Sequence, residues 1–134
     1  MACDKRVVAS GRYDPPHCGH IYTLQLLGQK YAEVIVVILD HEEQEYPVEY
    51  RCQILRKILA CSKGRYTLRC NTTHFGQLRP DEWEQYKAHI YASGNLEVLK
   101  HIESLGIPVE YTPRAFEYSA TDARIAKQLQ KLLK

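Results

Sequence analysis

The segment Gly11 to His20, GRYDPPHCGH, gathers the side chains best suited to handling phosphate. His17 and His20 lie three apart across Gly19, at the point where a helix is expected to open. A helix N-terminus presents unpaired backbone N–H groups and a partial positive charge, and both favour an anion. Two imidazoles there can donate to phosphate oxygens, and Arg12 adds a permanent charge on a planar fork. Gly11 allows a tight exit from the preceding strand, and the prolines stiffen the turn. Two histidines at this spacing also suit a metal pair or a plain helix cap. No carboxylate or thiol other than Cys18 stands at metal-ligand spacing, so no protein-held metal is expected.

These residues need a frame that brings loops together. Lys5 to Ser10 reads as a first strand, and the apolar positions Ile21, Leu24, Leu27 and Tyr31 recur at helical spacing after it. Glu33 to Asp40 is apolar almost throughout, as a central parallel strand covered on both faces should be. A helix from about Val48 carries Cys52, Leu55, Ile58 and Leu59 on one side. Further strands are expected at Arg65–Cys70, His89–Ala92 and Val109–Tyr111. Helices are expected at Asp81–Lys87, at Leu96–Leu105 with Leu96, Leu99, Ile102 and Leu105 in register, and at Thr121–Leu133. Gly106 and Pro108 are stop signals. Strands alternating with helices imply a single-domain α/β fold over residues 1–134, a doubly wound five-stranded parallel sheet with helices on both faces. Ligands of such sheets bind beyond the carboxyl ends of the strands, where the winding reverses. The loops after the first, fourth and fifth strands are therefore where chemistry belongs.

Composition excludes several function classes. With 134 residues there is room for one well-cored domain. Eighteen Lys and Arg against 16 Asp and Glu leave a formal charge of +2, too balanced for a nucleic-acid-binding tail or a membrane-surface patch. The longest apolar run, Val34 to Leu39, has the size of a buried strand rather than a membrane span. The N-terminal MACDKRVVAS lacks the apolar core of a signal peptide. Five cysteines without a CxxC pair suit reduced thiols, so a cytoplasmic setting is expected.

The string GRYDPPHCGH, between a strand and a helix, resembles the HxGH signature of the nucleotidyltransferase superfamily. Its members include nicotinamide mononucleotide adenylyltransferases, phosphopantetheine adenylyltransferases and small cytidylyltransferases. The resemblance implies a Rossmann-like nucleotidyltransferase fold and makes His17 and His20 the residues that bind the triphosphate and stabilise the pentacoordinate transition state. It places Gly11, Arg12, Tyr13, Asp14 and Gly19 around the nucleotide. Asp14 is either a helper in orienting metal or ribose or a turn residue. Tyr118 to Arg124, YSATDAR, resembles the second signature, Ile-Ser-Ser/Gly-Thr-x-Ile-Arg. Ala120 and Ala123 depart from that pattern. The carry-over gives Tyr118, Ser119 and Thr121 to the nucleotide site and makes Arg124 a catalytic phosphate clamp. On its own, Thr121 would be an ordinary N-cap and Arg124 a solvated residue.

Ser93-Gly94-Asn95 resembles the loop that holds adenosine in pyridine-nucleotide adenylyltransferases, although SGN is also a common turn and cap. Arg51 falls where family members carry an arginine opening the second helix, either as an acceptor contact or as a solvated residue. Trp83 either pins a short polar helix to the core or stacks on the acceptor's ring. The implied reaction transfers a nucleoside monophosphate, AMP from ATP first, to a phosphorylated acceptor such as nicotinamide mononucleotide. Mg²⁺ would enter with the bound NTP. A cytidylyltransferase using a polyol- or sugar-phosphate is the alternative, though the RTEGISTT-like string of the glycerol-phosphate enzymes is replaced here by AFEYSATDAR. A non-catalytic nucleotide sensor is the other. Partners are small molecules, with neither nucleic acid nor membrane, and a homo-oligomer is left open.

Overall fold

The computed structural model describes residues 3–39, 45–71 and 80–112. Five strands alternate with four helices among them: β1 (Cys3–Gly11), α1 (Cys18–Lys30), β2 (Tyr31–Leu39), α2 (Val48–Ala60), β3 (Tyr66–Asn71), α3 (Pro80–Tyr86), β4 (Ile90–Ser93), α4 (Leu96–Ser104) and β5 (Val109–Tyr111). All strand pairs are parallel, in the order β3-β2-β1-β4-β5. The winding leaves β1 toward β2 on one side and resumes at β4 on the other. The topological switch point therefore lies between β1 and β4, where crevices for ligands form in open α/β sheets.

Alternation along the central strands builds two cores. Val7 and Ala9 of β1, with Val34, Val36 and Ile38 of β2, face Leu24 and Leu27 of α1 and Leu55 and Leu59 of α2. Val8, Ile35, Val37 and Leu39 face the opposite way, toward Tyr86, Val98, Leu99 and Ile102. Period-two alternation in two strands buried on both faces thus assigns α1 and α2 to one layer and α3 and α4 to the other. Among the described residues no helix is long and apolar enough to cross a membrane.

The elements differ from their sequence expectations in three places. Tyr31, expected as the end of the first helix, is extended at φ −115° and ψ 156°, closes α1 through its N–H to Leu27 O, and begins β2. Leu96 was expected on the buried stripe of α4 but is 57% exposed, and the stripe is Val98, Leu99 and Ile102. Steps of three residues each fall roughly 60° short of a full turn, so a stripe spaced by threes drifts off the core. In α2 the inner positions are Arg51, Leu55 and Leu59, while Ile58 stays 39% exposed. The spacing of four puts an arginine where an apolar residue is usual. The helix expected at Thr121–Leu133 lies outside the described residues.

Candidate nucleotide site at the switch point

The site begins where β1 ends. Tyr13 adopts φ 49°, a left-handed conformation uncommon for a bulky residue. This turns its ring back over Gly11, where an added Cβ would lie 3.1 Å from two ring atoms. The phenol donates to Ala9 O at 3.3 Å and is 5% exposed. Burial, reinforced by Tyr91, pushes its pKa well above the ordinary value. Tyr13 was expected at the nucleotide, and its structural role is to pack the loop. Its ring meets His20 edge-on, with centroids 4.9 Å apart at 73°.

His17 is the N-cap of α1. Its Nδ1 accepts from the backbone N–H of Gly19 at 3.1 Å and of His20 at 3.4 Å. His20 reaches back, and its Nδ1 accepts from the N–H of His17 at 3.3 Å. The two rings stack at 3.7 Å and 21°. This is a capping box built from two imidazoles. The helix-cap alternative and the phosphate alternative thus use different atoms of the same side chains. A nitrogen that accepts a hydrogen bond carries no proton, so the neutral tautomer of each ring has its proton on Nε2. Both histidines are thereby set as Nε2–H donors. The first turn of α1 contains no acidic residue to offset the helix's positive end from within.

The SGN loop leaves the same end of the sheet. Ala9 and Ala92 pair directly, so the loops following β1 and β4 emerge from strands about 4.8 Å apart. Ser93 is buried and its Oγ accepts from the N–H of Asn95 at 3.1 Å. Asn95 caps α4 through Oδ1, which accepts from Glu97 and Val98. A Cβ on Gly94 would lie 2.8 Å from the carbonyl oxygen of Thr112. Gly94→Ala is therefore expected to push the β4 and β5 exits apart, lower stability by about 1–3 kcal/mol and weaken NTP binding. Thermal melting and NTP titration check it, and an unchanged variant would remove Gly94 from the site.

On the opposite side of β1, Ser10 Oγ and Tyr91 OH are hydrogen-bonded. Burial pushes the Tyr91 hydroxyl up to about 12, with Ser10 pulling the other way and Tyr86 adding to the rise. Trp83 packs on this face, its ring tilted against Tyr91 at 6.2 Å, so the core-pinning role is the one its contacts display. Arg12 is exposed, and Gly19 lies inside the histidines' capping box.

Arg51 has a setting that the sequence reading did not foresee, and Asp14 takes one of the two that it allowed. Arg51 is fully buried, which corrects the solvated-residue expectation and leaves its guanidinium turned to protein rather than to an open acceptor site. It donates to the carbonyls of Tyr46, Arg12 and Leu39. The i, i+4, i+8 alignment of Arg51 with Leu55 and Leu59 was the available signal. Asp14 is 7% exposed and its carboxylate accepts from the N–H groups of Glu45 and Tyr46. Its turn role is the one on view. Tyr118, Ser119, Thr121 and Arg124 lie outside the described residues. Among the described residues no group of three His, Cys, Asp or Glu side chains could hold a metal ion.

A family model described as cytidylyltransferase-like matches residues 8–125. No curated protein sequence matches the chain. Among solved structures, a bifunctional NMN adenylyltransferase/ADP ribose pyrophosphatase from Francisella tularensis, complexed with AMP and a manganese ion, superposes with a TM-score of 0.71 at 16% identity. That match covers 92% of this chain and 41% of the other, so the chain spans about two fifths of the Francisella protein's length. A putative nicotinate-nucleotide adenylyltransferase from Vibrio parahaemolyticus superposes with a TM-score of 0.67 at 14% identity, covering 96% and 89% of the two chains. A lipopolysaccharide core biosynthesis protein from Thermoplasma volcanium gives 0.56 at 22% identity, over 86% and 98%. At these identities the likeness is one of fold.

Proposed function

The chain belongs to the cytidylyltransferase-like family, and we propose that it transfers AMP from ATP to a phosphorylated acceptor such as nicotinamide mononucleotide, releasing pyrophosphate. The observation that carries this reading is the reciprocal capping box of His17 and His20 at an acid-free helix start beside the switch point. It would offer an anion two Nε2–H donors and a helix end.

In this reaction a phosphate oxygen of the acceptor attacks the α-phosphorus in line, the bond to the bridging oxygen breaks, and pyrophosphate leaves with that electron pair. No protein nucleophile is needed, so positioning and charge stabilisation provide the catalysis. The Nε2–H groups of His17 and His20 donate to the oxygens on which charge builds. Arg12 and Arg124 bind the β- and γ-phosphates, and Ser119 and Thr121 place hydroxyls beside them. The SGN loop lines the nucleoside. Mg²⁺ would enter with the bound NTP and neutralise phosphate charge there. The bifunctional Francisella protein, of which this fold matches 41%, was crystallised with AMP and a manganese ion, in keeping with a nucleotide substrate and a divalent ion.

A pyrophosphate-release screen crossing four NTPs with phosphorylated acceptors tests the reading. Turnover is expected with ATP and a pyridine mononucleotide. Activity with CTP and a polyol-phosphate, and none with ATP and a pyridine mononucleotide, would move the assignment to a cytidylyltransferase. NTP binding without any turnover would make the chain a sensor.

A further inference from the structure

The loops that follow β1 and β2 hold each other through two buried charged side chains. Asp14 comes from the first loop, and its carboxylate accepts from the N–H groups of Glu45 at 2.6 Å and Tyr46 at 2.8 Å in the second. Arg51 comes from the first turn of α2, directly after the second loop. Its Nε donates to Tyr46 O at 3.0 Å, and an Nη donates to Arg12 O at 2.5 Å and Leu39 O at 2.9 Å. Asp14 thus accepts from two amides across the gap, and Arg51 ties one carbonyl across it, that of Arg12, to two on its own side, those of Leu39 and Tyr46.

The path from these contacts leads to an imidazole. The carbonyl of Arg12 belongs to the peptide immediately before Tyr13, and Tyr13 is held at φ 49°. Such a conformation persists in a bulky residue only when its surroundings over-determine it. The Tyr13 ring then abuts His20, which is itself locked to His17. Buried charge networks are a poor means of stabilising a core, since an apolar set replacing the whole network often does as well, although removing one member alone is costly. Their use here points to a demand for fixed backbone geometry.

We propose that Asp14 and Arg51 are positioning residues for His20, clamping the two loops so that the paired imidazoles are preset before substrate arrives. The proposal rests on the nucleotidyltransferase reading above. Its consequence is that loosening the clamp impairs the rate of the bound complex far more than its formation. A misplacement on the order of 1 Å is enough for roughly a 100-fold loss of kcat.

Two variants test it, each in the full chain and well below its melting temperature. Asp14→Asn is nearly isosteric but turns an amide N–H toward a backbone N–H, and Arg51→Lys keeps the charge but cannot fork to several carbonyls. Both are expected to retain the native near-ultraviolet circular dichroism. Both should exchange the amide hydrogens of Glu45 and Tyr46 faster than the wild type. In pyrophosphate release, kcat should fall about 100-fold while KM for NTP and acceptor stays within about threefold. If one variant fails to fold, the other decides. A folded variant with a lowered melting temperature and wild-type kcat shows a purely structural role and overturns the proposal alone. Wild-type protein that neither binds nor turns over any NTP overturns the nucleotidyltransferase reading, and the clamp's role in it as well.

Discussion

His17→Ser is expected to keep α1 capped and the protein folded while losing pyrophosphate release by roughly 100- to 1,000-fold. Serine is among the preferred N-caps, and its hydroxyl can accept from the helix amides that now bond to His17 Nδ1. It is too short to present a donor where Nε2–H stands. The variant therefore separates the cap from the chemistry, which the native side chain performs with different ring atoms. Stability should stay within about 1 kcal/mol of the wild type. His20→Ala should show a similar loss of rate, with a small loss of stability because the His17 N–H loses its partner. A His17→Ser protein that melts normally and retains wild-type turnover would reduce the imidazole pair to a helix cap and remove the central mechanistic claim.

Arg51→Leu is expected to cause the largest loss of stability of any single change discussed. Leucine fills much of the same space and leaves the carbonyls of Tyr46, Arg12 and Leu39 without their donor. A buried carbonyl left unsatisfied costs about 1–3 kcal/mol, and some relaxation toward water is available at the loops, so a total of about 3–5 kcal/mol is expected. For a chain of this size, that corresponds to a melting temperature lower by roughly 10–20 °C. Thermal and urea unfolding measure it. A variant melting within about 3 °C of the wild type, a shift of under roughly 1 kcal/mol, would mean that the three hydrogen bonds do not hold the loops.

The order of the strands' apolar patterns was legible because each depends on local periodicity. Val7 to Ala9 and Val34 to Leu39 are apolar on both faces, and that marks central strands of a parallel sheet wherever they occur. The phosphate loop was legible for a similar reason. Its glycines, prolines and histidines serve a turn and a helix start, features determined by neighbours along the chain. The SGN loop and the end of α4 at Leu105–Gly106 followed the same local logic.

What local logic could not reach was which ring nitrogen faces the helix, which residues fill the inner stripe of α2, and which backbone an acidic side chain grips. The sequence by itself determined that His17 and His20 stand at a helix mouth after a strand. Only the tertiary structure decided that they cap each other through Nδ1, since that depends on the angle at which the loop enters α1. Arg51 reads as a polar residue on a helix, and a polar residue is solvated by default. Its burial was decided by carbonyls at positions 12, 39 and 46, which three separate segments bring to one point. Asp14 likewise lies 31 and 32 residues from the amides it accepts from. Pattern along a chain reports the face an element must bury. The partners of a buried polar group are set by the fold as a whole, because they come from segments with no sequence proximity to advertise them.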